Sequence, residues 1–219
     1  MSRKRKWRRW IKTIDQTILD PIREDKLIFD NYYALLESNA AISNPWNFHQ
    51  WALKNHGHSL MLQVRKLADP DPRTYSLRKL MGQIANEIAK NPNLISRHSF
   101  LAAYPKHHRD IATANWRRYV QGADVQQLPR SVPLHDIERL KHITGRICNL
   151  VNKEIAHLAR QRRRRATNFD ELYGLLRKMV SLAAKYGDLL GVLTADDLDN
   201  FVIPYDWMAI FDLPWRRNK

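Results

Sequence analysis

The stretch Leu150-Val151-Asn152-Lys153-Glu154-Ile155-Ala156-His157 lies inside a long helical pattern and ends on a histidine, with Arg160 and the run Arg162, Arg163, Arg164, Arg165 directly after it. On a helical wheel of about 100° per residue with Val151 as origin, Leu140, Ile143, Ile147, Ile155 and Leu158 fall on Val151's side. They form a core stripe. Arg146, Asn149, Asn152, Lys153, His157 and Arg160 fall on the other side. The pattern predicts a helix from about Leu134 to Arg162 whose histidine faces water, a partner chain or a ligand, with cations close by.

Working outward, caps and breaks predict helices throughout and no strand. One helix runs from Asp15 to about Ala41, with Pro21 in a first turn or at a break. Asn44-Pro45 reads as the cap and first residue of a helix to Ala68. Asp69-Pro70-Asp71-Pro72 is a break. Ser76 caps a helix to about Lys90, and Asn91-Pro92 ends it. Shorter helices are predicted over Leu94 to Tyr104 and Lys106 to Val120, followed by a surface loop from Gly122 to Pro133. Thr167 with Asp170 has the form of a capping box. It opens a helix to Leu190 with Leu172, Leu175, Leu176, Met179, Leu182 and Ala183 apolar. Thr194 with Asp197 suggests one more short helix, and the aromatic tail from Phe201 to Trp215 is expected to lie across the bundle.

At 219 residues one domain is expected, large enough to bury a core. Residues 1–12 are predicted to be a basic arm ahead of a single helical domain over 13–219. Trp7 and Trp10 in that arm have two readings: docking on the body, or stacking on RNA bases. The net charge of +15 draws the molecule to polyanions and says nothing of fold. Cys148 is the single cysteine, so no intramolecular disulfide and no cysteine-based zinc site can form, which fits a reducing compartment. No window approaches the roughly 18 apolar residues of a membrane span. The basic start lacks the apolar run of a secretory signal, so a cytoplasmic location without a membrane partner is expected. His56 with His58, and His107 with His108, lack the i, i+4 spacing of a zinc pair on a helix. With no glycine-rich phosphate loop, no Gly-x-Ser-x-Gly and no nucleotide fingerprint, neither metal nor cofactor is expected.

Asn152-Lys153-x-x-Ala156-His157 resembles the signature of the HEPN superfamily, in which an arginine and then a polar residue shortly precede a histidine on a long helix. The match is closest to the abortive-infection branch, where Arg-Asn-Lys-x-x-Ala-His is common. Gln63-Val64-Arg65-Lys66-Leu67-Ala68-Asp69, Ser76-Leu77-Arg78-Lys79-Leu80 and the ending Asp206-Trp207-Met208-Ala209-Ile210-Phe211-Asp212-Leu213-Pro214-Trp215 resemble that branch too. Val151 stands where the family's arginine is expected.

The resemblance implies an all-α, HEPN-like bundle of roughly six or seven helices. It also implies a metal-independent ribonuclease of the toxin or anti-phage kind. His157 would be general acid/base, because an imidazole titrates near working pH. Asn152 would orient substrate, and Lys153, one turn before His157, would complete the catalytic set at the phosphate. Arg146, Arg160 and Arg162, Arg163, Arg164 and Arg165 are the expected RNA contacts. Five arginines in the six positions from Arg160 exceed what a helix dipole needs. The implied partners are RNA, a second copy of the chain in a homodimer, and a protein inhibitor, including one of the nucleotidyltransferase type. Set against this are a packing role for His157 and Asn152, a core role for Val151, and a catalytically degenerate RNA-binding or interaction module.

Overall fold

A computed structural model describes residues 2–38, 46–122, 124–152, 168–192 and 198–199, with the side chains of Trp46 and Asn47 not among them. Every regular element among these residues is helical, and the extended backbone makes one isolated bridge, Ser96 to Gln127. The elements are α1 (Arg3–Ile14), α2 (Asp20–Ser38), α3 (Trp46–Ala68), α4 (Leu77–Ile88), α5 (Arg97–Leu101), α6 (Arg109–Tyr119), α7 (Ser131–Leu150) and α8 (Phe169–Leu189). The fold is the all-α bundle expected from the caps and breaks.

The residues set apart above as a basic arm are a helix packed into that bundle. Ser2 caps α1 by accepting the Arg5 N–H at 3.3 Å. Trp7, Trp10, Ile11 and Ile14 recur at helical spacing and are buried, Trp7 being 1% exposed. Both indoles are therefore docked and not offered to bases. Part of the arm's charge is also used internally. Arg8 donates from Nε to the Leu190 carbonyl at 2.6 Å, closing the C-terminus of α8, and Arg3 pairs with Glu87 on α4.

Between α1 and α2 the helix widens to π geometry over Asp15–Leu19 without breaking. Pro21, the second residue of α2, has no N–H to give to the turn before it, and the π segment lies directly ahead of it. The expected cap at Asn44 lies outside the described residues. α3 ends at Ala68 where the prolines require it. Ser76 caps α4 through the Lys79 N–H at 3.2 Å and also donates to the Asp69 carbonyl at 2.5 Å, tying the turn back to the end of α3. Lys79 bonds the Pro72 and Thr74 carbonyls and lies over the Trp10 ring, so this turn is anchored on α1.

α7 packs against α3 and α4, and α8 against α1, α3 and α7. The six apolar residues read from the α8 pattern are all buried. The α8 cap is Asn168, which accepts the Glu171 N–H at 2.7 Å; Thr167, the expected cap, lies outside the described residues. α7 starts at Ser131, earlier than expected, with Pro133 in its first turn. Two large aromatic residues lie at the surface: Trp51 is 62% exposed and Tyr33 is also exposed.

Candidate nucleic-acid interface

At its C-terminal end α7 turns from α to π geometry at Val151 and Asn152. Such local widening is frequent at functional sites because it re-aims the side chains that follow. Val151 is fully buried among the core residues, as its place on the apolar stripe implied. Asn152 is exposed and faces away from that core. Its amide oxygen accepts a hydrogen bond from Arg65 Nε of α3 at 2.8 Å.

This bond forms one wall of a cleft of 410 Å³ between the end of α3, the start of α4 and one face of α7. The cleft takes Arg65, Asp69 and Pro70 from the end of α3 and the turn after it, and Arg78 from α4. From α7 it takes Lys141, Cys148 and Asn152. Three cations thus face one carboxylate. Asp69 uses its Oδ1 to accept the Asp71 N–H at 3.0 Å, so it shapes the turn. Lys141 is exposed and pairs with Glu138, an arrangement that solvent weakens. Neither Arg65 nor Arg78 has a carboxylate partner among the described residues. Their charge reaches Cys148. Burial pushes that thiol up, while a bond to Thr144 and then the guanidinium charges of Arg65 and Arg78 pull it down.

The chain matches the family model HEPN_AbiU2, described as AbiU2, over residues 5–204. It belongs to that family. Comparison with curated proteins finds no match, and comparison with solved structures finds none. The stretches around Arg65 and Arg78, both inside the matched residues, converge with Asn152 on a single cleft. Neither arginine was assigned a role from sequence. Their appearance within two family-like stretches was the available signal, and Lys141 shares the wheel face of Asn152.

Of the residues expected to act, the structure brings Asn152 to the cleft. Arg146 is elsewhere: it is exposed and reaches Glu171 on α8 at 3.3 Å. His157, Lys153, Arg160 and Arg162 to Arg165 lie outside the described residues.

A second hollow, of 350 Å³, lies along the other end of α3 and is lined by Phe29, Tyr32, Phe48 and His56. His56 stacks on Phe29 with ring centroids 4.0 Å apart, and its Nε2 shares a 2.6 Å hydrogen bond with the Tyr173 hydroxyl. Burial pulls the His56 pKa down to about 4, against the weaker opposing pull of Asp25 and Asp30. His56 is thus a neutral packing group at ordinary pH. No helix among the described residues is long and apolar enough to cross a membrane, and no cluster there could hold a metal ion.

Proposed function

We propose that the protein is a metal-independent endoribonuclease of the HEPN kind, acting in defence or as a toxin. The observation that carries this reading is the cationic cleft at Asn152, in a chain of this family whose residues 152–157 resemble the HEPN signature ending on a histidine. RNA offers its own nucleophile, the ribose 2′-hydroxyl. Its attack on the adjacent phosphorus forms a cyclic phosphate, breaks the bond to the 5′ oxygen and passes through an oxyanion-rich phosphorane. The chemistry requires a base for the 2′ proton, an acid for the departing oxygen and cations for the added negative charge. His157 serves the proton transfers, with Lys153 and Arg160 close to it in sequence. Asn152, whose oxygen is committed to Arg65, orients substrate through that guanidinium. Arg162 to Arg165 extend the phosphate-binding surface, and a second copy of the chain completes the groove across a two-fold axis.

The test is cleavage of a labelled RNA in EDTA by wild type and by His157→Ala. Cleavage by wild type and none by the variant are expected. Activity that survives His157→Ala refutes the mechanism. RNA binding without cleavage by wild type would favour the non-catalytic module, a reading that the burial of Val151 at the family's arginine position supports. Light scattering that shows monomer alone would remove the two-protomer groove but not the cleft.

A further inference from the structure

The family's arginine is replaced by Val151, and Val151 is sealed in the core, so the signature helix cannot offer a guanidinium there. One residue on, however, Asn152 holds a guanidinium that belongs to another helix. Several arginines of the described fold are neutralised within the chain: Arg23, Arg73, Arg97, Arg146 and Arg177 each meet a carboxylate. Arg65 meets a neutral amide instead. The bond to Nε fixes the plane of the guanidinium without cancelling its charge. Among the described residues its two terminal nitrogens make no other bond. That is the fork geometry suited to two oxygens of one phosphate. Arg78 and Lys141 add charge to the same cleft from α4 and α7, and its 410 Å³ lies in the ordinary range for a bound small group.

We propose that Arg65, held in place by Asn152 and backed by Arg78, is the guanidinium that grips the scissile phosphodiester of RNA. The cation has moved from the signature helix to α3, while its position beside the signature asparagine is kept. This rests on the ribonuclease reading above. Asn152 acts through Arg65 and is a positioning residue. Lysine at position 65 would keep the charge but lose both the fork and the Nε bond to Asn152. It would bind RNA and cleave it poorly.

The experiment follows a fluorescent single-stranded RNA in EDTA by anisotropy over a range of salt, and by cleavage at saturating protein. The variants are Arg65→Gln, Arg65→Lys, Arg78→Gln and Asn152→Ala, with Arg117→Gln, at an exposed position of α6, as control. Arg65→Gln should slow cleavage about a hundredfold or more. Arg65→Gln and Arg78→Gln should each flatten the log–log salt slope of binding by about 0.7. Arg65→Lys should restore the slope but not the rate. Asn152→Ala should lower kcat about tenfold with little change in KM. It should add nothing on the Arg65→Gln background, a non-additivity that two independent structural defects would not show. Arg117→Gln should match wild type. Arg65→Gln behaving like Arg117→Gln in both readouts overturns the proposal. If wild type binds RNA without cleaving it, the ribonuclease reading fails and with it the scissile role, and the salt slopes then decide only whether Arg65 holds an RNA phosphate. If wild type neither binds nor cleaves, both fail.

Discussion

Arg23 and Arg65 lie in two parts of one bundle and have opposite surroundings. Arg23 is 1% exposed, with Asp15 at 3.0 Å and Asp20 at 2.6 Å. Arg65 is half-buried at the rim of a cleft, and its oriented partner is the neutral Asn152. The first site is closed on itself. It still gives no easy stability: burial pushes the Asp15 carboxyl up despite the bond and charge of Arg23. The same internal neutralisation recurs between α7 and α8, where the buried Asp136 of α7 takes Lys185 at 2.7 Å and Tyr186 at 2.8 Å. A site that balances its charge within the chain is structural. A site that fixes a guanidinium and leaves the charge unbalanced is prepared for an anion from outside.

The strongest way to break this contrast is to place an arginine in the core without a carboxylate. Val151→Arg does so, and it is expected to cost about 3–5 kcal/mol, as an uncompensated buried charge does. A urea midpoint close to wild type would mean that the end of α7 opens easily. It would also make position 151 available to the family's arginine after all. Arg23→Met strips the closed site of its cation and leaves two carboxylates facing each other. A loss of about 3 kcal/mol is expected, read by denaturant unfolding at neutral pH. RNA affinity of the folded fraction should not change.

His56 sharpens the comparison at the other end of α3. Its pKa is about 4 in the folded state against an ordinary 6.5, so it is neutral when folded. Below pH 6.5 the unfolded chain binds a proton that the folded chain does not, and stability falls as pH drops toward 4. The loss should reach about 2 kcal/mol after allowance for partial exposure. His56→Phe keeps the stack on Phe29 and should remove that part of the acid limb. Identical acid limbs in the two proteins would contradict it. The smallest expected effect on stability is that of Arg65→Gln. Its partner is an exposed amide, so the change in unfolding free energy should stay under about 0.5 kcal/mol even as RNA binding weakens. A large destabilisation would place Arg65 with Arg23 among the structural arginines.

Much of the frame was legible in the sequence because local chemistry settles it. The prolines after Asp69 end α3, Ser76 starts α4, and the spacing of Leu172 to Ala183 turns one face of α8 inward. The N-terminal segment was misread because charge density outweighed a periodicity that was present. Trp7, Trp10, Ile11 and Ile14 are a helical stripe, and the stripe decides. The expected role of Val151 in the core could be read from the same wheel that sends Asn152 to the other side. What no single helix could reveal is the meeting of Arg65 and Arg78 with Asn152. Those residues are far apart in the chain and are joined only when α3 and α4 pack on α7.

The most direct measurement uses a probe that the molecule already carries. Cys148 is the single cysteine, it is half-buried, and it lines the cleft beside Arg65 and Arg78. Its rate of alkylation at mildly alkaline pH reports whether that cleft is filled. Saturating RNA in EDTA is expected to slow labelling about tenfold or more in wild type, and to have little effect in Arg65→Gln with Arg78→Gln. An unchanged labelling rate in wild type, at RNA concentrations where anisotropy shows binding, would mean that RNA binds elsewhere and that Arg65 is not its phosphate ligand.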